Sequence, residues 1–196
     1  MSDFLPLFVF VFVGLFTPGP NIILLTISGA KFGIRDTYPH LFGVVIGTGL
    51  LAAFSSLGVN TIILKAPLLE SILKVISVSW IVYLALQLLT KENLDDGENK
   101  SRPFKFAEAV LFQLVNPKLW ALTLSASAGF SIDGSILFST SYYFILFSVV
   151  NFLVCSFWLF FGTYIAKYLK KTIVWRCFMF LMALFLLVSA YLILIQ

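Results

Sequence analysis

Charge is scarce in this sequence. Of its 196 residues only 11% are Asp, Glu, Lys or Arg, against 60% hydrophobic, and the mean hydropathy is +1.02. A soluble domain carries about 25% charged residues, so this composition points to an integral membrane protein. Cysteine and histidine are scarcer still. The two cysteines, Cys155 and Cys177, lie in or at the edge of apolar runs with no CxxC or metal-ligand spacing. Both are assigned to core packing, and no redox chemistry, metal or cofactor is expected. Enzymatic chemistry finds little support, because Ser125, Ser127, Lys118 and His40 do not assemble into a nucleophile with a base. A basic leader is also missing. Met1-Ser2-Asp3 carries no positive n-region and no small-x-small cleavage site follows, so the first apolar run reads as a retained membrane helix.

What is present is apolar length. The hydrophobic runs are continuous rather than alternating, which indicates helices and not a barrel. Crossing about 30 Å of hydrocarbon takes about 20 residues, and six spans account for the runs: 4–27, 41–64, 68–90, 106–130, 136–165 and 174–195. The expected fold class is therefore an all-α membrane protein of six transmembrane helices in one membrane domain. The formal net charge of +4 does not indicate nucleic acid, because the basic residues sit in the short connections. Ten of the thirteen Lys and Arg flank the first, third and fifth connections: Lys31, Arg35, Lys91, Lys100, Arg102, Lys105, Lys167, Lys170, Lys171 and Arg176. Positive loops stay in the cytoplasm, so both termini are predicted outside, with Tyr38, Tyr164, Tyr168 and Trp175 as anchors at the cytoplasmic edge. The segment 91–105 reads as a solvated cytoplasmic linker between residues 1–90 and 106–196.

Two of the spans are interrupted. Thr17-Pro18-Gly19-Pro20-Asn21 breaks the first, because each proline removes a backbone donor and clashes with the preceding turn. Asn116-Pro117-Lys118 breaks the fourth. Pro117 follows Pro18 by 99 residues and Pro20 by 97, against a half-length of 98. The breaks thus occupy corresponding places in two three-helix halves, and an odd number of spans per half makes the second half insert upside down. Paired interruptions in inverted repeats mark the midplane site of secondary transporters. Helical rise places Pro117 roughly 17 Å and Gly19 roughly 12 Å from the cytoplasmic edge, so the breaks fall at similar depths. Facing half-helix ends offer donors to an anion and carbonyls to a cation, a pair of poles that suits a zwitterion.

Pro18, Gly19, Pro20, Asn21, Asn116, Pro117 and Lys118 are accordingly the candidate substrate-binding residues. Lys118 is the only charged residue predicted near midplane. It is read as binding a carboxylate or carrying a proton, against the plainer role of capping carbonyls freed by Pro117. Asn151 in the fifth span either bridges helices or reaches the substrate. Asp36 is a second candidate for proton coupling, while His40 reads as an interface anchor. Gly43, Gly47 and Gly49 form a small-residue surface for helix contact, as do Ser148, Cys155 and Gly162. The sixth span, with Phe178, Phe180, Leu181, Phe185 and Leu187, is expected to face lipid.

Thr17-Pro18-Gly19-Pro20-Asn21, the basic segment from Lys31 to Arg35, and Phe112-Gln113-Leu114-Val115-Asn116-Pro117-Lys118 together resemble the LysE/RhtB family of bacterial amino-acid exporters. The resemblance covers the whole chain. It implies export of amino acids or derivatives across the bacterial inner membrane in exchange for protons, with a homo-oligomer left open and no cofactor. No Asp or Glu is predicted near midplane to pair with a cationic side chain, so the expected substrate is a small neutral amino acid; within the family, the cysteine/O-acetylserine type is the nearest expectation. A non-transporting membrane subunit and an intramembrane enzyme are the alternatives.

Overall fold

The computed structural model describes residues 4–59, 67–90, 102–130, 132 and 134–194. Within them are seven α-helices and no strand: α1 (Phe4–Phe16), α2 (Pro20–Phe54), α3 (Pro67–Leu89), α4 (Phe106–Leu114), α5 (Pro117–Gly129), α6 (Ile136–Ile165) and α7 (Thr172–Leu194). A π-helical turn, Ser55–Val59, closes α2. Most of the 91–105 linker and the connection at 65–66 lie outside the described residues.

The proline chemistry places both interruptions where the sequence predicts them. At the end of α1 the backbone N–H and the hydroxyl of Thr17 both donate to the Val13 carbonyl, at 3.1 and 2.7 Å. Gly19 is extended (φ −152°, ψ −174°) and Pro20 occupies the first position of α2, where its missing N–H is no loss. The second break repeats the device. Val115 and Asn116 donate back to the carbonyls of Phe112 and Gln113 at 3.2 Å, and Pro117 starts α5.

The connection expected at 28–40 is instead helical on both sides of a single residue. Gly33 has φ 76° and ψ 179°, a conformation that glycine adopts without steric cost. The chain folds back there. Ser28 Oγ and the ring Nδ1 of His40 lie 3.3 Å apart, whereas twelve residues of straight helix would separate them by roughly 18 Å. Thus α2 comprises two packed arms, 20–32 and 34–54. His40, expected at the interface, is only 1% exposed, wedged against Ser28 and the ring of Phe104 at 5.0 Å.

Arm 20–32 is shared by two apolar clusters. One gathers Leu7, Val11, Leu25, Val44, Phe147 and Val154 from α1, α2 and α6, with Ala109 and Leu119 from α4 and α5. The other joins Ile23 and Ile27 to Ile81, Ala85, Trp175 and Leu186 of α3 and α7. Trp175, predicted as an interface anchor, is wholly buried, with the Lys31 ammonium 5.6 Å above its ring. The face of α7 carrying Met179, Met182 and Leu186 is likewise buried, so only its opposite face, with Phe180, Leu184 and Val188, is exposed. Cys155 is buried as expected, but Cys177 is exposed. Among the described residues Ile136–Ile165 is long and apolar enough to cross a membrane, and Pro20–Gly58 meets the same measure by length and composition although the Gly33 turn divides it into two arms. Exposed Phe157, Phe160 and Phe161 on α6 form an apolar exterior of the kind that meets lipid rather than water.

Glycine sets how closely the arms approach α6. A Cβ on Gly29 would lie 2.6 Å from the Leu159 carbonyl oxygen, and Thr163 Oγ1 donates to the Gly29 carbonyl at 3.1 Å across the same contact. Gly29→Ala forces the backbones apart and lowers stability by about 1–3 kcal/mol. Gly129→Ala, where nothing lies within 4 Å, leaves it unchanged. Thermal unfolding of the detergent-solubilised variants checks both, and equal midpoints for Gly29→Ala and wild type contradict the close-contact assignment.

Candidate functional site

The two breaks meet. Lys118, in the first turn of α5, reaches across to donate from its ammonium to the Thr17 carbonyl at the end of α1. A second tie runs the other way. Asn21 Nδ2, in the first turn of α2, donates to Gln113 Oε1 on α4 at 2.6 Å, and Gln113 Nε2 donates to the Ala109 carbonyl at 2.7 Å and to Asn21 Oδ1 at 3.3 Å. Each break is thus held by a side chain from the other interrupted pair of helices. The carbonyl freed ahead of Pro117, that of Leu114, is capped by Trp120 Nε1 at 3.0 Å. Trp120 thus caps the Leu114 carbonyl, while Lys118 caps the Thr17 carbonyl at the other break.

Between the breaks lies a cavity of about 30 Å³, which holds roughly one or two waters. Its polar lining is Asn21, Asn116, Lys118 and Asn151, with the backbone of Gly19 and Pro20. The apolar lining is Gly14, Leu15, Ile22, Leu119 and Leu122. Of the candidate residues, Pro18 and Pro117 stand in the breaks without lining the cavity. Asp36 is exposed, three residues past the Gly33 turn, and does not line it. Among the described residues Lys118 is the one charged residue in the lining.

Asn151 both bridges helices and reaches the cavity. Its Nδ2 donates to Thr48 Oγ1 of arm 34–54 at 2.8 Å, and Cys155 Sγ donates to its Oδ1 at 3.3 Å. These two partners fix the carboxamide on the third wall of the cavity.

The cavity has two chemical poles. The N-cap residues of α2 and α5, Gly19 and Asn116, make no side-chain capping bond, so both first turns present amide donors and positive helix ends toward it. With the Lys118 ammonium, they make one side of the cavity a place for an anion. The opposite pole comes from Asn116 itself. Asn116 is 3% exposed, and its Oδ1 has no hydrogen-bond partner among the described residues. A buried acceptor without a donor is costly, and a ligand carrying N–H groups would relieve it.

Gln113, Thr48 and Thr17 belong to this arrangement although the candidate list omits them. Gln113 carried a signal. A glutamine inside an apolar span needs a partner at membrane depth, the same reasoning that singles out Asn151. Thr48 and the Thr17 carbonyl carried none, since their roles depend on which helices come into contact.

Comparison with known proteins identifies the family of the chain. A family model described as LysE type translocator matches residues 12–196. The chain is 26% identical over 161 residues to the leucine efflux protein of Enterobacter sp. (strain 638), covering 78% of this chain and 76% of that protein. It is 27% identical over 160 residues to the leucine efflux protein of Salmonella typhimurium, covering 78% and 75%. No solved structure matches it significantly.

The Asn21–Gln113 tie is tested by a double-mutant cycle. Gln113→Leu strands the Asn21 carboxamide and destabilises the protein by about 1–3 kcal/mol, and adding Asn21→Ala recovers part of that loss. Chemical unfolding of the four proteins measures the coupling; additivity within about 0.3 kcal/mol contradicts a direct tie.

Proposed function

We infer that this chain, which belongs to the LysE type translocator family, is a secondary transporter that exports a small neutral amino acid from the cytoplasm in exchange for protons. The observation that carries the reading is the cavity where two interrupted helices present their uncapped N-termini, beside one lysine and one unpartnered asparagine oxygen. The relatives named as leucine efflux proteins support an amino acid as the cargo. The family and these relatives are transporters, which argues against an enzyme.

In this reading the α-carboxylate takes the Lys118 ammonium and the first-turn amides of α2 and α5. The α-ammonium takes Asn116 Oδ1, and the Thr17 carbonyl once Lys118 leaves it. Pro18 and Pro117 keep the breaks open, and Gly19 and Pro20 let the backbone come close. Asn21 and Asn151 complete the polar wall. Among the described residues no carboxylate lines the cavity, so a cationic side chain would find no counter-charge among them. That favours a neutral substrate.

Six crossings follow if α1 with arm 20–32 makes one interrupted span and α4 with α5 another. Each interrupted span is then followed by two others, the plan of two inverted halves. The basic connections face the cytoplasm of a bacterial inner membrane by the positive-inside rule. Lys118 is the candidate proton carrier at the site. Exchange moves proton and substrate in opposite directions, so as carrier Lys118 takes up a proton from outside after the substrate has left and releases it to the cytoplasm before the next one binds. The carboxylate then rests on the first-turn amides. If Lys118 keeps its proton, it holds the carboxylate and leaves the coupling to Asp36. Asp36, at the Gly33 turn, is the candidate for proton exchange at the cytoplasmic mouth.

Proteoliposomes loaded with a panel of amino acids test this. Release of neutral aliphatic amino acids quickens when an opposing proton gradient is imposed. Lys118→Met abolishes exchange, and Asn116→Leu weakens substrate binding by about tenfold to a hundredfold, the worth of a hydrogen bond to a charged group. Wild-type rates in both variants at equal protein content would remove the site from this account.

A further inference from the structure

We propose that the side chain of the transported amino acid lies against Leu122 of α5, which packs directly on Gly14 of α1, and that this pair sets how large that side chain can be. The inference rests on the substrate site proposed above and adds a second subsite to it.

The cavity lining is divided in the same way as an aliphatic amino acid. Its polar groups lie around the helix breaks, and its remaining wall is made of Gly14, Leu15, Ile22, Leu119 and Leu122. No hydroxyl, amide or charged side chain belongs to that wall. A charged side chain placed there would be desolvated without a partner, whereas an aliphatic one gains from leaving water.

The spacing along α5 gives the measure. Lys118 and Leu122 are four residues apart in one helix, so they stand on one face, about 6 Å apart along the axis. A single helical turn therefore offers a charge for the head of the substrate and an apolar stop for its tail.

Leu122 is the part of the wall that can yield. Leu15, Ile22 and Leu119 are 8%, 4% and 3% exposed and are packed into the first apolar cluster, while Leu122 and Lys118 are only partly buried. Opposite Leu122 stands Gly14, whose missing side chain leaves the space that Leu122 fills. A Cβ built on Gly14 would come within 3.0 Å of Leu122 Cδ2 and nearer still to Cδ1. A methyl at position 14 therefore drives Leu122 toward the cavity, and truncation of Leu122 opens the cavity toward α1. The two changes act on one dimension with opposite sign.

The test uses full-length protein in proteoliposomes, with alanine, leucine and phenylalanine as paired competing substrates for wild type, Gly14→Ala, Leu122→Val and Leu122→Ala. Ratios are read within each variant, so a loss of folded protein cancels. Gly14→Ala lowers the leucine-to-alanine ratio by about tenfold or more, and Leu122→Ala raises the phenylalanine-to-leucine ratio by a similar factor, the discrimination that one methylene or more supplies in an apolar pocket. Leu122→Val falls between wild type and Leu122→Ala. Ratios within about twofold of wild type in all three variants overturn the subsite, even if Lys118→Met still abolishes transport. Normal transport by Lys118→Met overturns the site itself.

Discussion

Inside a bilayer a backbone carbonyl or amide released from a helix has no water to bond, and this constraint governs the fold. Pro18, Pro20 and Pro117 each make such a release unavoidable. The chain meets the demand by bringing the two breaks together. Lys118 answers the Thr17 carbonyl, Trp120 answers that of Leu114, and the Asn21–Gln113 pair ties the start of α2 to α4. Leaving one break unpaired would strand the other. Among the described residues these ties leave two helix starts without side-chain caps and the buried Asn116 oxygen, the features on which the proposed site rests.

The remaining structure holds those breaks in register. Arm 20–32 contributes Leu25 to one apolar cluster and Ile23 and Ile27 to the other, so the first residues of α2 move only if both clusters adjust. Close contacts at Gly29 and Gly162 set its distance from α6, which carries Asn151 into the cavity wall. The Thr48 and Cys155 bonds then orient the Asn151 carboxamide. Within this frame Lys118 and Leu122 are long, partly buried side chains of the cavity lining.

The breaks were legible in the sequence because proline and glycine act locally: Pro18, Gly19, Pro20 and Pro117 interrupt a helix whatever surrounds them. Counting helical rise from the predicted ends was enough to bring the two interruptions to similar depth. Features set by tertiary contact were not legible. Ala30, Lys31, Phe32, Ile34 and Arg35 do not resist a helix, so the expected 28–40 connection is helix except at Gly33. His40 and Trp175 were placed at the interface by residue type, yet Phe104 and Ser28 enclose the one, and α3 and the first arm of α2 help bury the other. The apolar surroundings of Cys177 suggest packing, but an apolar stretch of a membrane helix has a lipid face as well as a protein face, and Cys177 is exposed. Gln113 stood in plain view within the second motif, and the rule that polar groups at depth need partners applied to it as much as to Asn151.

The central claim is that the meeting point of the two breaks is where the amino acid is carried. An experimental structure of the protein, determined with its transported amino acid at saturating concentration, tests this most directly. The account predicts ligand density between the first turns of α2 and α5, its carboxylate within hydrogen-bonding distance of the Lys118 ammonium and its amino group on Asn116 Oδ1. Density at another place in the helical bundle, with the Lys118–Thr17 and Asn21–Gln113 ties unchanged, contradicts it.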